Sequence, residues 1–265
     1  MITIINGGTQ GLGEATARRL LATGFTSGVA LVGRSADRGE ALAGELSDAG
    51  LPSLFVRADV SAPDAPQAIV DATVERFGAV NGLVNVAATT TRANLFTDTR
   101  EHVDRQFDVN VKAPYFLIQA AARHMVEHGN PGSIVNVGSV AGYGGAPKLT
   151  AYAMSKAALS AMTTNLAFAL MRHGVRVNQV NPGWMETESE HHIQMTEDGQ
   201  PENWLELAAP TRPFGRLVQP WEVANLIAFC LSEESGLLTG NHIDVDQTVQ
   251  GAGSPPLPGV EDTIS

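Results

Sequence analysis

Short runs rich in valine and isoleucine alternate with longer segments of helical periodicity along most of the 265 residues. The runs predicted as strands are residues 2–5, 28–33, 53–58, 82–86, 133–138, 175–181 and 242–246. The segments predicted as helices are residues 12–22, 37–49, 63–77, 100–128, 151–173 and 219–232. Alternation of this kind requires a parallel sheet that is covered on both faces by right-handed crossover connections.

The pattern therefore predicts an α/β fold of the Rossmann type, with a doubly wound parallel sheet of about seven strands and helices on both faces. No linker, repeat or low-complexity block divides the chain, so residues 1–265 are predicted to form a single domain. The one long irregular stretch, residues 184–213, is predicted to be a substrate lid within it. Residues 254–258, with the sequence Ser-Pro-Pro-Leu-Pro, exclude a regular helix or a central strand.

Charge and cysteine content narrow the class of protein. The net charge of -11 arises from 28 acidic and 17 basic residues without any cluster of Lys and Arg, so neither nucleic acid nor an anionic membrane is an expected partner. The single cysteine, Cys230, lies in an apolar stretch and is predicted to be a buried structural thiol. The sequence shows neither a signal peptide nor an apolar run of the ~20 residues that span a bilayer. We therefore expect a cytoplasmic protein.

Tyr152 and Lys156 carry the clearest functional signal. A spacing of four on a helix puts a phenol and an ammonium group on one face, one turn apart. The unperturbed pKa of a phenol is about 10, and a fixed cation beside it favours the phenolate. Such a pair can exchange a proton with a substrate oxygen. The non-functional alternative is a packed tyrosine beside a solvated lysine. The chain contains only three tyrosines and three lysines, so this spacing is improbable by chance.

A glycine-rich turn follows the first predicted strand and leads directly into a helix. Its sequence is Asn6-Gly-Gly-Thr-Gln-Gly-Leu-Gly13, which includes Gly7, Gln10, Gly11, Leu12 and Gly13. Glycines let the backbone approach a pyrophosphate, and the helix N-terminus offers free N–H groups and a positive dipole end. The spacing of the glycines differs from the G-x-G-x-x-G pattern of most dinucleotide-binding folds.

With Ser139, Tyr152 and Lys156, this turn resembles the short-chain dehydrogenase/reductase family, whose glycine pattern is T-G-x-x-x-G-x-G. The resemblance extends over nearly the whole chain and implies a catalytic tetrad of Asn110, Ser139, Tyr152 and Lys156. It implies that Tyr152 is the general acid or base and that Ser139 holds the substrate oxygen. Lys156 would lower the pKa of Tyr152 and hold the nicotinamide ribose, while Asn110 would support a proton relay through water. Taken singly, Ser139 could be a strand-end cap and Asn110 a turn residue.

The resemblance also implies cofactor-binding positions outside the glycine turn. These are Asp59, Val60, Asn85, Ala87, Pro182, Gly183 and Thr187, together with Tyr152 and Lys156. Three departures from the family pattern concern turn geometry: Asn6 replaces a Thr, Val86 and Ala88 replace Asn and Gly, and Gln247-Thr248 replaces Gly-Gly.

The residues after the second predicted strand bear on the choice of cofactor. Enzymes that use NAD place an acidic residue there to bind the ribose 2′-hydroxyl, whereas this chain has Arg34 and Ser35. An arginine can pair with the 2′-phosphate of NADP(H). NADP(H) is therefore favoured over NAD(H). The alternative is that Arg34 stacks on the adenine and accepts either cofactor, because Gln10 provides no second positive charge in the glycine turn.

The sequence indicates the substrate less directly than the cofactor. The predicted lid contains carboxylates, His191, His192 and two Trp, a mixture that suits a sugar, a polyol or another small hydroxylated compound. His124 and His128 have a zinc-like spacing but no third ligand nearby, so no metal site is predicted. The family resemblance implies a homo-oligomer, a tetramer or a dimer, formed through long helices that include residues 113–128 and 151–173.

Together these features predict an NAD(P)-dependent oxidoreductase that interconverts an alcohol and a carbonyl compound by hydride transfer. A non-catalytic dinucleotide-binding regulator of the same fold is the alternative, although a regulator would have no need of Tyr152 and Lys156 together. Sugar-nucleotide epimerases and dehydratases of related fold usually have a different glycine spacing and a longer C-terminal substrate domain.

Overall fold

A computed structural model describes residues 1–252. Over this range, seven strands form one sheet in which every neighbouring pair is parallel, and their order is β3-β2-β1-β4-β5-β6-β7. The strands are β1 (Ile2–Asn6), β2 (Gly28–Gly33), β3 (Ser53–Arg57), β4 (Gly82–Asn85), β5 (Gly132–Val137), β6 (Val175–Pro182) and β7 (His242–Val245). The chain winds outward from β1 to β3, returns to β4 and winds outward again to β7. The predicted doubly wound Rossmann-type sheet is thereby confirmed.

Within the described residues, helices follow each strand except β7 and lie on the two faces of the sheet. They are α1 (Gly11–Thr23), α2 (Ala36–Asp48), α3 (Ala65–Phe77), α4 (Arg100–Phe107), α5 (Ala113–Glu127), α6 (Thr150–Leu170), α7 (Glu188–Thr196), α8 (Trp204–Ala208) and α9 (Pro220–Leu231). Within residues 1–252, none of these helices is long and apolar enough to cross a membrane. The proline-rich residues 254–258 lie outside the described part of the chain.

The apolar core has two layers, one on each face of the sheet. Ile5 and Leu31 face α1, α2 and α9, while Ile4 and Val32 face α3, α5 and α6. Adjacent residues of a strand point to opposite faces, so strands buried on both faces read as continuous apolar runs. This burial explains why the five inner strands could be predicted from the sequence to within one residue at each end, whereas the edge strands β3 and β7 are only partly buried.

Two predicted regions differ from the structure. The predicted helix 100–128 is interrupted by a π-helical turn, Asp108–Lys112, between α4 and α5. The prediction that residues 184–213 are irregular is wrong, because they contain α7, α8 and a short 3-10 turn, Ala209–Thr211. The hydroxyl of Thr187 accepts a hydrogen bond from the Glu190 backbone N–H at 3.1 Å and caps α7.

Candidate active site

A cleft of about 1950 Å³ opens at the carboxyl ends of the central strands. In open parallel sheets, ligands bind outside the carboxyl ends of the strands, where the strand order reverses, which here is between β1 and β4. The cleft brings together most of the residues predicted to form the site. They are Gly7, Gln10, Gly11, Leu12, Arg34, Ser35, Asp59, Val60, Ala87, Ser139, Tyr152, Lys156, Pro182, Gly183 and Thr187.

Three predicted residues lie behind the wall of the cleft rather than in it: Gly13, Asn85 and Asn110. Asn85 is buried, where its side chain accepts a hydrogen bond from Asn6 at 3.3 Å and donates one to Asn136 at 2.9 Å. Asn6, Asn85 and Asn136 are in register on β1, β4 and β5. Their amides bond to one another between strands, and the buried Asn6 Oδ1 atom has no hydrogen-bond partner within residues 1–252. Asn6, which departs from the family pattern, therefore belongs to a network that ties the strand ends together.

The glycine turn has the geometry of a phosphate cradle. Gly7 and Gly11 have φ angles of +82° and +52°, which favour glycine over other residues. A Cβ atom on Gly13 would overlap the carbonyl oxygen of Gly7, and one on Gly7 would overlap the backbone of Ala87. The N-cap residue of α1, Gln10, makes no side-chain capping bond. Free N–H groups at the start of α1 therefore face the cleft, and the turn fits a dinucleotide pyrophosphate.

The cleft above β2 and β3 carries positive charge. Arg34 is exposed at the end of β2, and Arg38 lies one turn further along, in α2. The Arg38 Nη1 atom donates to Oε1 of Gln10 at 2.5 Å, and its Nη2 lies 3.2 Å from the Glu188 carboxylate. Sequence reasoning missed Arg38, although its spacing of four from Arg34 in Arg-Ser-Ala-Asp-Arg was a usable signal. Arg34 and Arg38 thus line this end of the cleft, as does Arg105, whose Nη2 atom lies 4.0 Å from the Asp59 carboxylate.

Asp59 lies near these arginines at the end of β3. Its carboxylate accepts hydrogen bonds from the backbone N–H of Ser61 at 3.0 Å and from the Ser61 hydroxyl at 2.6 Å. These bonds lower the pKa of Asp59. The carboxylate is therefore ionised near neutral pH and can accept a hydrogen bond from a ligand in the cleft.

Tyr152 and Lys156 share one face of α6, as the spacing predicted. The Lys156 Nζ atom lies 5.6 Å from the centre of the Tyr152 ring and donates a hydrogen bond to the Val137 carbonyl oxygen at 2.7 Å. Lys156 is 3% exposed, so its position is fixed by packing. Burial lowers the pKa of Lys156 to about 8. The ammonium form therefore still prevails at neutral pH.

The pKa of Tyr152 is raised, whereas the sequence predicted that it would be lowered. Burial raises it to about 12, and the negative charge of Glu190 adds to the rise, whereas a hydrogen bond with Ser139 lowers it. The family resemblance implies that Lys156 lowers this pKa, but desolvation of the phenolate is the larger effect in the structure. Tyr152 is therefore held as a phenol, and the adjacent Ser139 hydroxyl is the group that favours ionisation.

Ser139 and Asn110 lie on either side of this pair. The Ser139 Oγ atom accepts a hydrogen bond from the Ala141 backbone N–H at 3.1 Å, so it caps a short helical turn as well as lining the cleft. Asn110 is buried in the π-helical turn, and its Nδ2 atom lies 3.0 Å from the Ser155 hydroxyl on α6. Its Oδ1 atom accepts a bond from the Thr89 backbone N–H at 2.8 Å. The Asn110 side chain thus joins α6 to the loop after β4.

A second charged cluster lines the cleft between the loop after β4 and the segment that contains α7. Arg92 pairs with Asp198 through Nη1, and its Nη2 atom lies 2.9 Å from the Glu190 carboxylate. Trp184 and Trp204 stack with ring centres 5.7 Å apart. These contacts join the loop after β4 to the segment that contains α7. Sequence reasoning missed the pairing of Arg92 with these acidic residues.

His124 and His128 lie away from the cleft, near the end of α5. Their rings stack with centres 4.3 Å apart, and the His128 Nδ1 atom lies 2.9 Å from the His124 carbonyl oxygen. Within residues 1–252, no group of three or more His, Cys, Asp or Glu side chains is placed to hold a metal ion.

Comparison with known proteins gives consistent matches along the chain. Residues 7–249 match the family profile described as enoyl-(acyl carrier protein) reductase. The 4-formylbenzenesulfonate dehydrogenase TsaC1/TsaC2 of Comamonas testosteroni is 37% identical over 246 residues, 92% of this chain and 96% of that protein. The galactitol 2-dehydrogenase of Agrobacterium fabrum is 30% identical over 249 residues, 92% of this chain and 95% of that protein.

Among solved structures, a variant of the actinorhodin polyketide ketoreductase with NADPH superposes with a TM-score of 0.86 and 28% identity. The match covers 93% of this chain and 95% of the ketoreductase. Similarity therefore extends over the whole sheet and the cleft rather than over the glycine turn alone.

Proposed function

Because this chain belongs to the short-chain dehydrogenase/reductase family of oxidoreductases, we propose that it interconverts a secondary alcohol and a carbonyl compound with NADP(H) as the preferred cofactor. The observation that carries the proposal is the meeting of Tyr152, Ser139 and Lys156 in the cleft that also contains the glycine turn. The alternative cofactor is NAD(H). A non-catalytic regulator would have no need of a buried lysine beside a half-buried phenol that lines the cleft.

Each side chain of the site has a distinct task in this reaction. Bound nicotinamide dinucleotide supplies the hydride donor or acceptor. Tyr152 gives a proton to the substrate oxygen during reduction and takes one from it during oxidation. The Ser139 hydroxyl binds the same oxygen and shares a hydrogen bond with the phenol. The charge of Lys156 stabilises the phenolate that remains after the proton has moved, and the lysine also holds the nicotinamide ribose.

Asn110 is proposed as a positioning residue for this pair. Its amide links Ser155, which lies between the tyrosine and the lysine on α6, to the loop after β4. This link fixes α6 against the wall of the cleft, next to a proton relay that would run through water. Removing the amide would therefore disturb the proton transfer without removing the acid or base itself.

The preference for NADP(H) is supported by Arg34 and Arg38, which line the cleft where the adenosine ribose of a dinucleotide would bind. Guanidinium groups form charge-assisted bonds with phosphate. The remaining proposed contacts are made by Gly7, Gln10, Gly11, Leu12, Gly13 and Ser35, and by Asp59, Val60, Ala87, Pro182, Gly183 and Thr187. Asn85 would act through the strand ends, because its side chain is buried behind them.

The substrate is proposed to be a sugar, a polyol or another small hydroxylated compound, and residues 184–213 are proposed to form the lid over it. The similarity to a galactitol 2-dehydrogenase supports this substrate class. Tyr115 and Phe116 on α5 and Phe168 on α6 are exposed apolar side chains, which supports a homodimer or homotetramer formed through these helices. A cytoplasmic location and a single domain over the full chain remain predictions.

A panel of substrates tests the proposal. Sugars, polyols, acyl ketones, steroids and an enoyl thioester are supplied with NADP(H) or NAD(H), and turnover is read from nicotinamide absorbance. We expect turnover of a hydroxyl or carbonyl compound and a higher kcat/KM with NADP(H). Binding of cofactor without turnover of any compound would favour a regulator. Reduction of the enoyl thioester alone would contradict the alcohol and carbonyl chemistry.

A further inference from the structure

Only one of the two carboxylate oxygens of Glu190 accepts hydrogen bonds from neighbouring side chains. Its Oε1 atom accepts hydrogen bonds from Arg92 at 2.9 Å, Trp184 at 2.8 Å and Gln194 at 2.7 Å. Its Oε2 atom has no hydrogen-bond partner within residues 1–252 and is not buried. Glu190 also lines the cleft that contains Tyr152. A carboxylate of fixed orientation therefore leaves one acceptor oxygen free at the wall of the cleft.

The guanidinium group beside Glu190 is not available to a ligand. Arg92 is bound by Glu190 and Asp198 through its two terminal nitrogens, and its backbone N–H donates to Glu197 at 3.1 Å. Its side chain is only 19% exposed. A cation between two carboxylates cannot attract a third anion strongly, because its charge is already compensated. This arginine therefore orients the wall of the cleft instead of binding a substrate anion.

The other positively charged side chains near Glu190 and Tyr152 also have contacts of their own. The Lys148 Nζ atom lies 3.5 Å from the Asp198 carboxylate, and the Arg212 guanidinium lies 5.4 Å from the centre of the Trp184 ring. Lys156 donates to the carbonyl oxygen of Val137 at the base of the cleft. With these groups occupied, the free oxygen of Glu190 is an acceptor without a donor among the described residues, although the carboxylate itself is paired with Arg92.

Glu190 lines the same cleft as Tyr152 and Ser139. Its negative charge also contributes to the raised pKa of Tyr152. A substrate whose oxygen binds Tyr152 and Ser139 would therefore have its other groups in the cleft that Glu190 lines. A hydroxyl group can donate a hydrogen bond to the free oxygen, whereas a carboxylate or sulfonate would be repelled by it.

We propose that Glu190 determines substrate specificity by accepting a hydrogen bond from a second hydroxyl group of the substrate. The residue selects neutral polyhydroxylated substrates over analogues that lack this hydroxyl and over anionic analogues. The inference rests on the proposed function, since it assigns the substrate class of the same site. It makes Glu190 the residue that separates a polyol from a simple alcohol.

The test compares three related compounds: a polyol, its deoxy analogue without one neighbouring hydroxyl, and its aldonic acid. The variant Glu190→Gln keeps the shape of the side chain and an oxygen for the three donors at Oε1, while it puts an NH₂ group in place of the free oxygen. Glu206→Gln is the matched control, because it removes one negative charge from exposed α8, outside the cleft. Binding to the cofactor-loaded protein is measured by tryptophan fluorescence, in parallel with turnover.

We expect the wild-type protein to prefer the polyol over the deoxy analogue by about tenfold or more, as for a hydrogen bond to a charged group. Glu190→Gln should lose most of this preference and should bind the aldonic acid more tightly than the wild type does. Glu206→Gln should behave as the wild type. An unchanged preference in Glu190→Gln, or stronger binding of the aldonic acid than of the polyol by the wild type, would overturn the inference.

Binding and turnover separate the two proposals. Turnover of other alcohols, with no effect of Glu190→Gln on the polyol, would leave the proposed function standing and refute the role of Glu190. Selective polyol binding that depends on Glu190, without any turnover, would support the role of Glu190 and refute the proposed function. If the polyol neither binds nor reacts, the role of Glu190 is refuted.

The pH profile gives an independent reading of the same interaction. In the oxidation direction, kcat/KM increases with pH as Tyr152 becomes able to accept a proton. Removing the charge of Glu190 removes a cause that raises the pKa of Tyr152, so the rising limb should move to lower pH in Glu190→Gln. It should stay in place in Glu206→Gln. A side chain with only a structural role in the lid would change activity without moving this limb.

Discussion

Arg34 and Arg38 carry the cofactor preference at the scale of single residues. Both line the cleft, but their surroundings differ, because Arg38 is already paired with Gln10 and Glu188 whereas Arg34 has no hydrogen-bond partner within the described residues. The exposed Glu188 carboxylate competes with a phosphate for Arg38. Arg34 is therefore the residue from which we expect the larger contribution to phosphate binding.

The variant Arg34→Ala should weaken binding of NADPH by about ten- to a hundredfold, the range of a hydrogen bond to a charged group, and should change NADH binding much less. Arg38→Ala should show the same selectivity with a smaller loss. Arg57→Ala, an exposed arginine on β3 that does not line the cleft, is the control. Dissociation constants for both cofactors provide the measurement. Equal losses for NADPH and NADH, or no loss, would remove Arg34 from the cofactor site.

Most of the site residues predicted from the sequence lie in the cleft, but their partners were not predicted. Tyr152 and Lys156 could be found because their spacing on one helix fixes their relation. The pairing of Arg92 with Glu190 joins residues that are 98 positions apart, and no local pattern records it. The direction of the Tyr152 pKa was missed for the same reason, since it depends on burial by the folded chain and on Glu190.

At the scale of secondary-structure elements, the turn between β1 and α1 is the least tolerant part of the site. Gly13 is packed against Gly7 so closely that a Cβ atom has no space, and the contact is with backbone that cannot rotate away. Helix α2 provides the contrast, because Gly44 within it has open space around a Cβ atom. The two glycines lie in helices of the same length, but a Cβ atom fits at Gly44 and does not fit at Gly13.

The variant Gly13→Ala should displace the glycine turn and reduce NADPH affinity by at least about tenfold, and it should lower the free energy of unfolding by about 1–3 kcal/mol. Gly44→Ala should leave affinity unchanged and raise the free energy of unfolding by about 0.5–1 kcal/mol, since alanine is the better helix former. Urea unfolding and NADPH titration of both variants provide the measurements. Unchanged NADPH affinity in Gly13→Ala would mean that this turn does not hold the cofactor.

Elements buried on both faces could be predicted, whereas elements made by tertiary contact could not. The strands follow from continuous apolar runs, but α7 begins where the Thr187 side chain caps it and is held by Arg92 from another loop. The π-helical turn at Asp108–Lys112 contains the buried Asn110, which bonds to a different helix. π-turns of this kind are frequent at functional sites, but their position depends on such contacts.

The whole described fold gathers residues from the ends of all seven strands of its sheet into one cleft. The doubly wound order β3-β2-β1-β4-β5-β6-β7 puts the glycine turn after β1 beside Ala87 after β4, with Ser139 after β5 next. The topology could be predicted because parallel strands with right-handed crossovers allow few arrangements. The substrate end could not, because its shape depends on how the segment after β6 folds over the cleft.

The account depends most directly on one proton donor and acceptor, Tyr152. Tyr152→Phe removes only the hydroxyl group, and Tyr143→Phe is the control, because Tyr143 is exposed, does not line the cleft and donates to Asp244 at 2.9 Å. Turnover of the best substrate and NADPH affinity are measured for both variants. We expect Tyr152→Phe to lose about 10²–10⁴-fold in kcat, the usual contribution of a general acid or base, with NADPH affinity retained. Wild-type turnover in Tyr152→Phe would contradict the proposed mechanism.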